Sequence, residues 1–319
     1  MKVFTSIDDV KGFLKDGVLA IGNFDGVHLG HRALINKALD LSNNNPCGVL
    51  TFSPHPNEFF KQGKHFYLTS DPQKVEIIKA MGVDALIVHR IEQNFLRLSP
   101  DDFVRDILVA KIGMKQVVVG HDFTFGKDRS GGVSLLRKMS ESFGFDLHLL
   151  PDVIVDGDRC SSSAIRDFLH QGLLTQGNAM LGRPFSLRGM VRSGQKKGGI
   201  LGFRTANLTP DEGFGLKRGV YASVLRIFDA HGHTDLIGVT NVGVRPTLST
   251  GGSLVVETHC LSKGELELYD REIEVFFVSY LREEQRFPTV MALQEQVQKD
   301  CQRVRQMQTQ FPDRFSLSV

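Results

Sequence analysis

The sequence predicts two domains of different class: a parallel α/β layer fold over residues 1–182, then a small antiparallel β-barrel with a terminal helix over residues 183–319. Three observations predict this. Short apolar runs alternate with helical patterns through the first half. Near Leu181–Pro184 the helical periodicity fades and glycine-separated strand patterns take over. A chain of 319 residues has room for two hydrophobic cores.

The elements follow in order. Val18–Ile21 reads as a buried strand, followed by a glycine-rich loop and a helix from about Arg32 to Leu41, with Leu34, Ile35, Ala38 and Leu39 on one face. Further strands are expected over 48–52, 85–88, 116–119 and 145–149. Asp71–Pro72 opens a helix ending near Met81, with proline at the first helical position and Gly82 after the end. Ser99 to Asp102 caps another, its early acids suiting the positive end of the dipole. Ser161 to Ser163 caps a helix that stops at Gly172. In the second half, strands are expected over 185–191, 219–228, 234–239, 254–261 and 272–277. From Pro288 onward Val290, Leu293 and Val297 return to helical spacing, which suits a helix packed on the barrel.

Bulk composition narrows the function. Hydrophobic residues make up 41% and charged residues 23%, and 38 basic against 36 acidic side chains leave a formal charge of +2. That balance gives no footprint for nucleic acid or a membrane surface, so any phosphate binding must be local. Cys47, Cys160, Cys260 and Cys301 are scattered, with neither zinc-ligand nor disulfide-framework spacing, which suits a reducing, cytoplasmic setting. The opening MKVFTSIDDVKGF lacks the apolar stretch of a signal peptide, and no apolar run is long enough for a transmembrane helix. The sequence does not give an oligomeric state.

Two constellations suit phosphate chemistry. The first is GNFDGVHLGH, Gly22 to His31, between a strand and a helix. That is the carboxyl end of a parallel strand, where open α/β sheets bind ligands. Gly22, Gly26 and Gly30 let backbone approach a ligand, and a helix N-terminus attracts phosphate. His28 and His31 can converge on one side of the turn and stabilise charge on an attacked phosphate. The motif alone also fits a glycine-rich turn with two incidental histidines, but its place between a strand and a helix favours the functional reading. The second constellation is SSSAIR, Ser161 to Arg166, which opens a helix after the last expected strand. Taken alone it reads as a serine cap followed by a surface arginine.

As a pair, HLGH after the first strand and SSAIR after the last resemble the nucleotidyltransferase superfamily. With TFSPHP (51–56) and GHDFTFGKDRSG (120–131) between them, the first half resembles the adenylyltransferase module of prokaryotic bifunctional riboflavin kinase/FAD synthetases. The resemblance continues through LGRP (181–184), GQKKGGILGFRTAN (194–207), GVYA (219–222), GVTNVGVRPT (238–247) and VETH (256–259), in the family's order and over nearly the whole chain. It implies a Rossmann-like nucleotidyltransferase domain, a riboflavin kinase barrel, and a transferase that uses ATP to turn riboflavin into FMN and FMN into FAD, with Mg²⁺ as cofactor.

Residue by residue, the resemblance places His28 and His31 on the ATP α-phosphate, with Gly22, Asn23, Asp25 and Gly30 in the same loop as phosphate-binding residues, Asn23 and Asp25 helping to position phosphate and metal. It places Ser162, Ser163 and Arg166 on the β,γ side. Asp122 to Arg129 would line the FMN and adenine region. Phe123 and Phe125 there suit either ring stacking or a plain core role. In the second half, the loop with Gly194, Lys196, Gly198 and Gly202 would fold over ATP phosphates, although its composition is also that of a flexible basic hairpin. Thr205 and Asn207 would be oxygen ligands of Mg²⁺. Glu257 would be the general base for the riboflavin 5′-hydroxyl, where the strand alone reads as a solvent-facing carboxylate. Arg245 belongs either to the flavin pocket or to structure, and Arg282 lies near the flavin end. Two positions depart from the family pattern: Gly199 stands where an arginine is usual, and Arg204 replaces the proline of a PTAN motif.

Those departures motivate a rival, an FMN adenylyltransferase with an impaired kinase half. A second rival is a flavin-binding protein without turnover, which would have no use for the ATP motifs. A third, a nucleotidyltransferase for another substrate, leaves the appended barrel unexplained.

Overall fold

A computed structural model of the chain describes residues 1–60, 64–191, 205–229, 232–245, 253–261, 268–307 and 311. The chain forms two compact units, which divide between Ser161 and Ser162 except that Phe66–Leu68 belongs with the second. The change of pattern read near residue 182 coincides with the start of the second unit's sheet, beyond that division.

In the first unit, strands β1 (Lys2–Phe4), β2 (Val18–Ile21), β3 (Cys47–Ser53), β4 (Ala85–Arg90), β5 (Gln116–Gly120) and β6 (Asp146–Leu150) form one parallel sheet in the order β1-β4-β3-β2-β5-β6. Every residue of β2 is buried, as a central strand covered on both faces requires. Alternate residues serve two cores. Leu19, Ile21, Val117 and Val119 pack with Ile107, Leu108 and Leu136, whereas Val18, Ala20, Val49 and Val118 pack with Ile35, Ala38 and Ile78. Helices α1 (Leu29–Ser42) and α2 (Asp71–Ala80) therefore lie on one face. Helix α3 (Pro100–Asp102 continuing as Phe103–Ile112) and α4 (Val133–Phe143) lie on the other. Successive strands run outward from β2 through β3 to β4, then return to β2's other side as β5. The order reverses between β2 and β5, and the crevice at such a reversal is where these sheets bind ligands.

Local chemistry sets the helix ends. Ser70 and Gln73 form a reciprocal capping box ahead of α2, with Pro72 in its first turn. His28 caps α1 by accepting from the His31 amide, so the helix starts at Leu29 and not at Arg32 as expected. From Phe103, α3 is wound as a π-helix, and it ends at Gly113, φ 72°, whose amide donates to the Leu108 carbonyl. Edge strand β1 pairs Lys2–Phe4 with Ala85–Ile87; three residues carry too little periodicity to be read.

The second unit holds helices α5 (Ser162–Gln171) and α6 (Leu174–Leu181) and an antiparallel sheet of β7 (Phe185–Met190), β8 (Thr205–Leu208), β9 (Gly219–Asp229), β10 (Gly232–Arg245), β11 (Ser253–Cys260) and β12 (Glu272–Arg282), ordered β7-β12-β9-β10-β11-β8. The sheet curls into a half-barrel. A Cβ placed on Gly189 of edge strand β7 would lie 3.5 Å from Leu208 of edge strand β8. One face buries Tyr221 edge-on to Phe277, which stacks on Phe185. Asn178 of α6 clasps the same corner, donating to the Phe277 carbonyl at 3.0 Å and accepting from the Phe185 amide at 2.7 Å. That face also carries a buried hydroxyl chain, Ser223 to Thr240 at 2.6 Å and Thr240 to Thr258 at 2.9 Å. The other face packs Val220, Ala222 and Val224 against Cys301 and Val304 of α7 (Val290–Gln306). The expected stripe on that helix is only half right: Val297 joins the packing, but Val290 is 58% exposed, because the sheet covers the later turns.

Two candidate active sites

The loop between β2 and α1 is built from its backbone outward. Phe24, Gly26 and Val27 all have positive φ, at 48°, 88° and 37°. Such strain persists only where surroundings enforce it. Phe24 and Val27 are fully buried as anchors, and a Cβ at Gly22 would meet the Phe24 ring at 3.3 Å. The Asn23 carbonyl accepts from Thr51 Oγ1 at 2.9 Å, and the Gly26 amide donates to Thr69 Oγ1 at 3.1 Å. Asp25, 1% exposed, accepts from the Thr69 amide at 3.2 Å and lies 3.5 Å from His65 Nε2. Its carboxylate therefore clamps the loop to the segment before α2.

His28 and His31 do converge. Their rings stack at 3.6 Å and 20°, with Phe24 tilted against His31 at 5.1 Å. His28 is the N-cap of α1, its Nδ1 accepting from the His31 amide at 3.3 Å. Gly30 makes this possible, since a Cβ there would stand 3.1 Å from the His28 ring. The glycine of HLGH thus serves the imidazole. Buried Cys160 approaches the same Nδ1 at 3.5 Å. A second stacked pair, His55 on His65 at 4.2 Å, adjoins Asp25 through His65. Neither was singled out as a site residue; for His55 the signal was its place in TFSPHP, and for His65 the sequence carries none.

Beyond β5, Phe125 is buried against Phe103 at 5.5 Å, with Phe123 stacked on it at 5.6 Å. Both aromatics pack on the core, Phe123 only partly covered. Arg129 is exposed and donates to Thr124 Oγ1 at 2.9 Å. Arg159 bridges Asp122 at 2.5 Å and Asp152 at 2.7 Å. Partial burial pushes the Asp122 carboxyl up, but the Arg159 guanidinium outweighs it and holds the carboxyl below its usual range.

In the second unit, Ser162 and Ser163 open α5, and Arg166 Nε donates to the Phe66 carbonyl at 2.7 Å. The sheet register brings together residues fifty positions apart. On β8 and β11, Asn207 stands directly opposite Glu257, and Thr205 opposite His259. The period of two puts all four on one face. Asn241 of β10 flanks Glu257 from the other side and donates to Glu284 at 3.2 Å. Asn241 was not singled out, although it sits in the GVTNVGVRPT stretch. Arg282 grips Asp300 of α7 through Nε and Nη2, the latter at 2.7 Å, fastening β12 to that helix. Arg245 continues β10 opposite Ser253, but its side chain lies outside the described residues, as do Gly194, Lys196, Gly198, Gly199, Gly202 and Arg204. All four cysteines are buried and none forms a disulfide, and burial pushes the Cys47 and Cys260 thiols up to about 12.

An FAD synthetase family model matches residues 11–164, and a riboflavin kinase model matches residues 181–308. Curated relatives named bifunctional riboflavin kinase/FMN adenylyltransferase align over nearly the full length. The Escherichia coli K12 protein is 36% identical over 305 residues, covering 94% of this chain and 96% of that one. The Listeria monocytogenes protein is 35% identical, covering 90% and 91%. The chain belongs to the bifunctional riboflavin kinase/FMN adenylyltransferase family. It is a transferase of FMN and FAD biosynthesis with both domains present. A solved Streptococcus pneumoniae structure bearing the name macrolide-efflux protein shares the fold, with TM-score 0.83 at 24% identity over 95% of this chain and 98% of that one. Among the described residues, no helix is long and apolar enough to cross a membrane.

Proposed function

We propose that the two domains, divided near residue 182, act in succession, residues 183–319 phosphorylating riboflavin and residues 1–182 adenylylating the FMN produced. The observation that carries this reading is the register that sets Asn207 opposite Glu257, with Thr205 on the same face. A proton acceptor and two hard oxygen donors on one sheet face are what phosphoryl transfer to a hydroxyl requires.

In the kinase step, Glu257 takes the proton of the riboflavin 5′-hydroxyl as its oxygen attacks the γ-phosphorus of ATP, and ADP leaves. Thr205 and Asn207 fit Mg²⁺, which would neutralise charge on the ATP phosphates. Gly194, Lys196, Gly198 and Gly202, outside the described residues, would offer those phosphates backbone amides and charge. In the second step, an FMN phosphate oxygen attacks the α-phosphorus of a second ATP and pyrophosphate leaves. His28 and His31 stabilise the charge that builds there, and Ser162, Ser163 and Arg166 take the β,γ side. Asn23 and Asp25 hold the loop; Asp122, Phe123 and Arg129 line the flavin and adenine region, with Phe125 supporting it from the core. Arg245 and Arg282 shape the kinase flavin end, Arg282 through Asp300. We place the enzyme in the cytosol, where four buried thiols outside any disulfide are at home.

Incubation of the full chain with riboflavin, ATP and MgCl₂, followed by chromatographic separation of flavins, tests this reading. FMN followed by FAD is the expected result. Conversion of FMN but not of riboflavin would overturn the kinase half, and conversion of neither would leave a flavin-binding protein.

A further inference from the structure

We propose that Asn241 is a specificity-determining residue of the kinase step, its amide oxygen accepting from the hydroxyl next to the one that is phosphorylated, and that Glu284 and Gly243 are the positioning residues that set that amide. The inference rests on the kinase reading above and names what the same sheet face recognises. It starts from a row across the sheet. Asn207 of β8 stands opposite Glu257 of β11, and Glu257 stands opposite Asn241 of β10. Glu257 therefore has the proposed Mg²⁺ ligands on one flank and Asn241 on the other, with Cβ atoms of opposed residues about 5 Å apart.

The orientation of the Asn241 amide follows from its partner. Its Nδ2 donates to Glu284 Oε1 at 3.2 Å. A carboxylate only accepts, so the group turned toward Glu284 is the NH₂ and the amide oxygen turns the other way. Gly243, two residues further along β10 and so on the same face, is the seat of that carboxylate. A Cβ there would stand 2.0 Å from Glu284 Oε1 and 2.9 Å from Asn241 Nδ2, so only glycine admits the pair as it stands. Asn241 is half-buried, and its side-chain oxygen accepts no hydrogen bond among the described residues. The face thus presents an oriented acceptor beside the proton acceptor Glu257.

The chemistry of the step says what reaches that acceptor. In phosphoryl transfer the attacking and leaving oxygens lie roughly in line across phosphorus. With the ATP phosphates on the β8 side of Glu257, the alcohol approaches from the β10 side and its carbon chain extends over Asn241. Riboflavin carries a hydroxyl on the 4′ carbon, next to the reacting 5′ position. Because Nδ2 is committed to Glu284, Asn241 offers that neighbour an acceptor, which selects a hydroxyl. A flavin without the 4′-hydroxyl would leave the amide oxygen covered and unpaired.

The test compares riboflavin with 4′-deoxyriboflavin as substrates of the full chain, as wild type, N241A and G243A, with ATP and MgCl₂. Wild type should phosphorylate the 4′-deoxy flavin with kcat/KM about tenfold below that for riboflavin. N241A should lose about tenfold with riboflavin and nothing further with the analogue, so that it no longer tells the two apart. G243A keeps Asn241 and Glu284 but displaces the carboxylate, and should lose discrimination in smaller measure. Unchanged turnover of the analogue by both variants reports that the sheet is folded, since a merely structural defect would lower both substrates alike. A wild type that uses both flavins equally, or an N241A protein that loses activity on both by the same factor, would overturn the proposal and leave the kinase reading standing. Full discrimination by G243A would overturn the positioning role of Gly243 and Glu284. A wild type that phosphorylates neither flavin would overturn both the proposal and the kinase reading.

Discussion

The two candidate sites are assembled by opposite means. The adenylyltransferase loop is local: between Gly22 and His31, one stretch of chain supplies its own strain, cap and ring stack. The kinase face is long-range: Asn207, Asn241 and Glu257 come from three strands and meet only because the sheet register is correct. A local site depends on the surroundings that enforce one loop conformation. A register-built site depends on the whole sheet, since a one-residue slip would turn every one of these side chains to the other face.

The sharpest break between them is E257Q. Removing the proton acceptor should lower riboflavin phosphorylation by about 10²–10⁴-fold while FMN adenylylation of the same sample stays at wild-type rate. H28Q should do the reverse, costing FMN adenylylation about 10²–10³-fold and leaving the kinase intact. Next comes D300A. It strips Arg282 of its carboxylate and should destabilise the second unit by about 2 kcal/mol, read as a lowered unfolding midpoint with kinase activity lost first. T240V interrupts the buried Ser223–Thr240–Thr258 chain and should cost about 1–2 kcal/mol, again felt by the register-built site and not by the loop. The smallest effect belongs to Asp122. Its folded-state carboxyl titrates below its unfolded value, so its contribution is present above the unfolded pKa and fades as pH falls through the folded one. R159A should abolish that acid-range dependence at a cost below about 1 kcal/mol, because the pair is exposed.

The same contrast explains what was legible in the sequence. Strand β2, helix α2 and the two histidines could be read because their signals are contiguous: a buried run, a first-turn proline with a glycine past the end, a four-residue motif. The start of α1 was misplaced because its cap is a histidine, a residue outside the usual capping set. Asn241 and His65 escaped because pairing distance, not chain spacing, gives them their neighbours. Val290 misled because helical spacing marks a face without saying how far a sheet extends over it. Glu257 was reached through family resemblance; its strand alone reads as an ordinary surface carboxylate.

The central claim is that one chain carries two separable transferases. Mixing purified E257Q with H28Q and supplying riboflavin, ATP and MgCl₂ tests it most directly. Neither variant alone should make FAD from riboflavin, E257Q stopping at riboflavin and H28Q at FMN, whereas the mixture should make FAD through FMN released into solution. If E257Q also failed to adenylylate supplied FMN, or H28Q failed to phosphorylate riboflavin, the two sites would not be separable and the account would be contradicted.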